Sequence, residues 1–416
     1  MSTSQNRQVT NQPLETRLSP SLWRNRDYLL LWSGEIISTT GSQVSQLAFP
    51  LLILALTHSA AQAGFAGALR TIPYLILSLP AGALADRWNR KLVMIICDLA
   101  RFLCLASIPL AILLGHLTVI QLYVVSLLEG TFFVLFDLAE VSCLPQVVSK
   151  EQIATATAQN IATYNIASLI GSPLCGLLYS IGRFFPFLAD AISYLCSVIS
   201  LFFIKRSLQT ERTQKKRPLL ADIKEGLQWL WGHPLFRFLA LILCGINLLS
   251  AGLPLLIIVI GQRLHTSSVN LGLVLSAAGI GGILGSLTVP WLRRRFSFFT
   301  LAVGALWMQA LLLPLLILAP NMVMVSVIIT TIFFFAPIFD ITQRSQRISA
   351  IPDALQGRVN SIYRLIAFSG QPIGLALAGL LIQDAGTTPT IIVCTAIFIV
   401  VSTSVTINPH IRQASA

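Results

Sequence analysis

Glu35, Arg70, Asp98, Arg101, Glu129, Asp137, Glu140, Asp340, Arg344 and Arg364 are ionisable residues set inside long apolar runs. On insertion scales, a charge at the centre of a helix in hydrocarbon costs roughly 2.5–3.5 kcal/mol. Residues held at that cost either pair with one another or handle a substrate or a proton. Asp98 with Arg101 (i,i+3) and Asp340 with Arg344 (i,i+4) can meet on one helix face. Both pairs fall near the cytoplasmic end of their spans and read as structural ion pairs beside a gate. Arg70, three residues before Pro73, can face a substrate or extend its stem toward the outer interface. Glu35 and Glu129 have no partner at helical spacing. A carboxyl alone in an apolar cavity is cheaper neutral than charged, which suits proton coupling. Asp137 is close by, and Glu140 falls on nearly the same face as Glu129, three turns later. Glu35, Glu129 and Asp137 are therefore candidate proton-coupling groups. Gln43, Gln46, Arg70, Asn247 and Gln371 are candidates for orienting a small molecule in an otherwise hydrophobic and aromatic cavity.

The elements that must position these groups are membrane spans. The chain has 416 residues, 55% of them hydrophobic and 11% charged. A soluble domain carries about 25% charged residues. With ~20 apolar residues needed to cross a bilayer, twelve spans are expected. They fall near 29–56, 63–84, 92–114, 118–141, 153–180, 184–204, 237–261, 269–291, 297–319, 322–345, 357–382 and 388–407. Two motifs recur at one common offset. The stretch 82–91 aligns with 285–294, and 171–178 with 374–381. The chain thus reads as two copies of a six-span unit, with a substrate site between the halves. The expected organisation is a tail (1–26), a first six-helix bundle (27–204), a linker (205–236), a second bundle (237–407) and a tail (408–416).

The net charge is +12. Arg183 and Arg263 are the basic residues assigned to outer loops; nearly all others fall in the tails, the linker or the inner loops. That asymmetry places both termini in the cytoplasm of a bacterial cell, with the chain multi-pass in its cytoplasmic membrane. It marks topology and attraction to anionic lipid rather than nucleic-acid binding. The polar stretch up to Ser21 does not read as a signal peptide, and the first span is expected to serve as its own insertion signal. The seven Cys are scattered without a CxxC pair and the five His are dispersed, so no metal site and no cofactor are expected. Gly279-Ile-Gly281-Gly282 lacks the spacing and the preceding strand of a dinucleotide fingerprint and reads as helix packing. No P-loop and no HExxH are present, so neither ATP hydrolysis nor an intramembrane hydrolase is expected.

The linker opens basic and then turns amphipathic. Leu219, Leu220, Ile223, Leu227 and Leu230 recur at helical spacing, with Trp229 and Trp231 at the interface level. A cytoplasmic helix lying on the membrane and joining the halves is expected.

Gly82-Ala-Leu-Ala-Asp86-Arg87-Trp-Asn89-Arg90-Lys91 resembles the loop-2/3 signature of the Major Facilitator Superfamily. Asn89 stands where that signature has its second Gly, as a residue tolerant of a left-handed backbone. An acid at Asp86 can face a helix N-terminus or a base on the other half and latch the cytoplasmic side shut. The second copy keeps Gly285, Arg293 and Arg294 but has Val289 at the acid's position, so the latch is expected to be one-sided. Stretches 131–145, 188–195, 222–235 and 357–361 are similar to the branch of enterobactin exporters and macrolide-efflux-like proteins. Gly171-Ser-Pro173-Leu-Cys-Gly176 resembles the exporter motif of drug/proton antiporters, with Ser172 intervening between Gly and Pro. Its Gly and Pro would bend the helix and allow close packing. The resemblance covers nearly the whole chain. It implies an all-α membrane protein, twelve helices in two pseudo-symmetric bundles with alternating access, exporting small amphipathic compounds with proton coupling, as a monomer. Uptake of a small metabolite is the alternative, and an accessory membrane protein without transport the remote one.

Overall fold

The computed structural model describes residues 22–85, 88–205, 219–352 and 355–413. Among the described residues the secondary structure is helical, without strands. In the first half, α1 (Arg26–Thr57), α2 (Ala60–Ala85), α3 (Arg90–Leu113), α4 (Val119–Val147), α5 (Ile153–Ile181) and α6 (Phe185–Phe202) run up and down. Next come α7 (Leu219–Gly232), α8 (Pro234–Ala251), α9 (Leu253–Arg263), α10 (Ser268–Arg293), α11 (Phe298–Leu312), α12 (Met322–Ala350), α13 (Gln356–Phe368), α14 (Gly370–Asp384), α15 (Thr387–Ile407) and α16 (Pro409–Gln413). Eleven of the described helical segments are long and apolar enough to cross a membrane. Adding α2 makes twelve.

Three spans expected to be continuous are divided. The seventh breaks between α8 and α9 at Gly252, and the eleventh between α13 and α14 at Ser369. The ninth ends in a 3-10 turn, Leu313–Leu318. Each break still leaves apolar residues on both sides, so hydropathy alone cannot detect it. Polar caps start many of the helices, because the first N–H groups have no partner in the helix. Asn25, Thr118, Ser267, Ser297 and Asn321 all cap in this way. Asn89 does so too, its side chain accepting from Leu92 N at 3.2 Å. Its backbone is extended (φ −68°), so the expected left-handed turn is not what Asn89 supplies.

The start of α1, the end of α6, α7, the start of α8 and the end of α15 lie at one end of the bundle, the terminal end; the short loop at 58–59 marks the opposite, far end. The halves meet chiefly through α5 on α10 and α2 on α14. These contacts gather toward the far end. A side chain on Gly272 would run into the backbone of Ser172 and Pro173, and one on Gly176 into Ser268 and Val269. On the other flank Gly64 and Gly379 meet backbone to backbone, and Gln383 accepts from Ala60 N at 2.8 Å. Pro173 and Gly176 of stretch 171–178 thus lie in a seam between the halves, whereas Gly171 packs on Gln43 of α1. Gly281 and Gly285 pack on α12, and Gly370 and Gly374 on α8, as expected for glycines that bring helices together.

This seam makes a prediction. Gly272→Val adds bulk against backbone, which costs about 1–3 kcal/mol where nothing can yield. The cost falls only on the state in which the far end is closed. Spin labels at positions 183 and 265 in a Cys-free background should report a longer distance in the variant. An unchanged distribution would mean that the seam does not control closure.

The α7 helix lies on α8 and α13 of the second half. Arg358 holds it through Asp222 at 2.9 Å and Glu225 at 2.5 Å. Leu230 is fully buried, whereas Leu227 and Trp231 are exposed. The apolar stripe is therefore split between a protein face and an outward face.

Candidate functional site

A cavity of about 560 Å³ lies between the halves. Glu35, Gln43 and Gln46 come from α1, Arg70 and Tyr74 from α2, Arg101 from α3, and Glu129, Asp137 and Glu140 from α4. Arg364 on α13 and Gln371 on α14 supply the facing wall.

At mid-depth the wall is an ion cluster. Glu129 is fully buried and sits between two arginines, with Arg70 Nε at 2.5 Å and Arg101 Nη2 at 2.8 Å. Tyr194 of α6 donates to the same carboxylate at 3.2 Å, and Arg101 stacks over the Tyr194 ring at 4.0 Å. Ser42 of α1 contacts the Tyr194 hydroxyl at 2.7 Å and accepts from Arg101 at 3.3 Å. Five helices of the first half, α1, α2, α3, α4 and α6, are tied at this point. Asp98 and Asp190, also fully buried, flank the cluster; Asp98 stands 3.6 Å from Arg101, and Ser193 donates to Asp190 at 3.1 Å.

This arrangement corrects several expectations. Glu129 is not an unpaired carboxyl; its two cations stabilise the charged form, so the reason for nominating it as a proton carrier is gone. Arg70 lines the cavity, but its guanidinium is engaged by Glu129 rather than free for a substrate. Arg101 has its shorter ion pair with Glu129, not with Asp98. The helix geometry explains why. Arg70, Arg101 and Glu129 each lie about three turns from the far end of their helices, hence at one depth.

Toward the terminal end the cavity carries a different group. Glu35 of α1 and Glu140 of α4 lie within hydrogen-bond reach of each other, and Asp137 is close enough to act on both electrostatically. Glu140 also accepts from Asn160 Nδ2 at 3.0 Å. Across the cavity, Arg364 reaches the Tyr74 hydroxyl and acts on Asp137. Two carboxylates in mutual hydrogen-bond reach both only accept, so a hydrogen bond between them requires a proton on one. Glu140 was not among the coupling candidates, though its depth is readable: Glu35 and Glu140 both lie about two turns from the terminal end.

The remaining candidates separate. Gln43, Gln46 and Gln371 line the central cavity. Asn247 does not; it lines a second, smaller chamber and accepts from Gln371 at 3.4 Å. The expected Asp340–Arg344 pair does not form, and Asp340 instead accepts from Gln343 Nε2 at 3.1 Å. Gly82 falls in the last turn of α2, while Asp86 and Arg87 lie outside the described residues. Arg90 and Lys91 open α3. They donate to Ser142 O in α4 and to Ile204 O just past the end of α6, both at 2.7 Å. Arg293, in the second copy of the motif, donates to Ser345 at 2.8 Å.

Comparison with known proteins agrees with this architecture. The family model described as transmembrane secretion effector matches residues 16–416. The chain is 26% identical over 399 residues to the multidrug efflux pump Tap of Mycolicibacterium fortuitum, covering 92% of this chain and 96% of that protein. It is 24% identical over 350 residues to the enterobactin exporter EntS of Escherichia coli, with 83% of each covered. Among solved structures, a bacterial homologue of the human lysosomal transporter Spinster, inward-facing and unoccupied, superposes with a TM-score of 0.76. That match is at 15% identity and covers 94% of this chain and 98% of that one.

Proposed function

This chain belongs to the transmembrane secretion effector family of Major Facilitator transporters, and from that premise we propose that it exports small amphipathic compounds in exchange for protons. The observation that carries the reading is the Glu35–Glu140 carboxyl pair inside a cavity walled by both halves. A carboxyl pair that holds one proton can release it when the cavity's surroundings change. That property converts a proton gradient into a bias between two arrangements of the halves.

The charge asymmetry of the loops supports a cytoplasmic terminal end. With the far-end seam closed, the state described here is the one that loads substrate from the cytoplasm or inner leaflet. Rocking of the halves then opens the far end, and proton entry at Glu35–Glu140 accompanies substrate release. The Arg70–Glu129–Arg101 cluster acts in this cycle as a rigid apex of the first half. Gln43, Gln46 and Gln371 supply neutral hydrogen bonds to a substrate, and the protein works as a monomer. The printed functions of the Mycolicibacterium and Escherichia relatives, multidrug efflux and enterobactin export, favour the outward direction over uptake.

The test uses the purified protein in liposomes with an imposed pH gradient and a panel of dyes, antibiotics and a catecholate siderophore. Extrusion of at least one compound, abolished by a protonophore, is the expected result. Gradient-driven uptake would turn the direction around, and extrusion indifferent to the protonophore would remove the coupling.

A further inference from the structure

The second half contains a chamber of about 270 Å³ that neither the family motifs nor the central cavity accounts for. It lies between α8, α11, α12 and α13. Asn247 and Ser250 come from α8, Gln309 from α11, Phe339 and Asp340 from α12, and Phe368 from α13. Phe368 lines this chamber and the central cavity alike, and meets the Tyr74 ring edge-on at 5.7 Å. The two spaces are therefore neighbours, with Phe368 and the Asn247–Gln371 contact between them.

Asp340 gives the chamber its chemistry. A carboxylate offers about four acceptor positions. Here the neutral amide of Gln343 uses one. No ion pair within 4.0 Å reaches Asp340 from the described residues. Arg344, one turn along, is exposed; Arg347, two turns along, is buried against the Tyr363 ring at 3.7 Å and acts on Asp340 at a distance, without an ion-pair contact. What α8 and α11 bring to the chamber is not ionisable: Leu243, Ile246, Asn247, Ser250 and Gln309. Asp340 itself is exposed and lines this space. An anion beside two phenyl rings and two amides is a receptor for a positively charged organic group, since the carboxylate and the ring faces both attract a cation.

We propose that this chamber is a second substrate subsite, holding the positive end of an organic cation with Asp340 as counter-ion and Phe339 and Phe368 as walls. The rest of such a substrate lies past Phe368 in the central cavity. The inference rests on reading the chain as an exporter of small amphipathic compounds, and it specifies that some of them are large cations spanning both spaces.

Binding of ethidium, a permanent cation, to the purified protein by fluorescence anisotropy tests this. Asp340→Asn keeps the shape and the hydrogen bond to Gln343 but removes the charge. It is expected to weaken ethidium binding about tenfold, the scale of a hydrogen-bonded or paired charge. Asp340→Glu is expected to restore most of the affinity, which a purely structural role of Asp340 would not produce. The proposal is overturned if wild type does not bind ethidium, if Asp340→Asn binds as wild type does, or if Asp340→Glu is as weak as Asp340→Asn. Wild type that binds ethidium with this charge dependence yet does not extrude it from vesicles overturns the export reading and leaves the subsite standing.

Discussion

Glu129→Gln is expected to destabilise the protein by about 3–5 kcal/mol, the scale for removing one partner of a buried ion pair. Arg70 and Arg101 both point at this carboxylate, at 2.5 and 2.8 Å, and Arg101 is almost fully buried. Glutamine is close to isosteric, so little of the loss would come from packing. The loss comes from leaving two guanidinium groups in a low-dielectric interior without the anion between them. Tyr194 and Ser42 would lose their anchor as well, and with it the joint among five helices. Denaturant titration of the detergent-solubilised protein measures the effect. Replacing all three residues together, as Arg70→Met, Arg101→Met and Glu129→Leu, should recover much of the stability, because no uncompensated charge remains. A loss below about 1 kcal/mol for Glu129→Gln would match a solvent-exposed pair and would mean that water already reaches the cluster.

Glu35→Gln combined with Glu140→Gln is expected to lower gradient-driven export by about 5- to 150-fold, the usual span of coupling between two sites. Both residues sit at one depth in the cavity, within hydrogen-bond reach of each other, and a bond between them would need a proton. Either single change leaves one titratable carboxyl beside Asp137 and should retain part of the driven transport. The double change leaves no proton to exchange at that position. Exchange of labelled for unlabelled substrate across the membrane needs no gradient and should continue, which separates lost coupling from lost folding. A double variant whose export still collapses on addition of a protonophore would move the proton path elsewhere, with Asp137 the next residue to change.

The two experiments address carboxylates that the sequence presents as alike. Glu35 and Glu129 each stand alone in an apolar run, without a base three or four residues away. Nothing local distinguishes them. Arg70 is 59 positions from Glu129 and Arg101 is 28 away, so their meeting is a property of helix neighbours rather than of helix faces. Depth was partly legible. Counting residues from the helix ends puts Arg70, Arg101 and Glu129 on one level and Glu35 with Glu140 on another. Azimuth was not, because one periodicity fits any rotation of one helix against the next.

The misread pairs have the same origin. Asp340 and Arg344 satisfy i,i+4 spacing, yet Asp340 pairs with the amide of Gln343 and faces a chamber built by three other helices. Asn247 and Gln371 both read as cavity residues, and their mutual contact lies where the second chamber meets the first. Spacing states which groups can meet, whereas competing partners on other helices decide which do.

Membrane insertion, the twelve spans, the duplicated half and the family were all determined by the chain's own order of residues. The first three follow from hydrophobic run length, charge asymmetry between loops and motifs recurring at one offset, the family from the resemblance of motifs such as 82–91, and all of these are one-dimensional quantities. The breaks at Gly252 and Ser369, the Arg70–Glu129–Arg101 cluster, the Glu35–Glu140 pair and the chamber at Asp340 were decided by the tertiary structure alone. In hydrocarbon a buried charge must find its partner across helices. Which helices lie side by side is set by the close approach of small residues such as Gly176 and Gly272, in contacts between segments about a hundred residues apart.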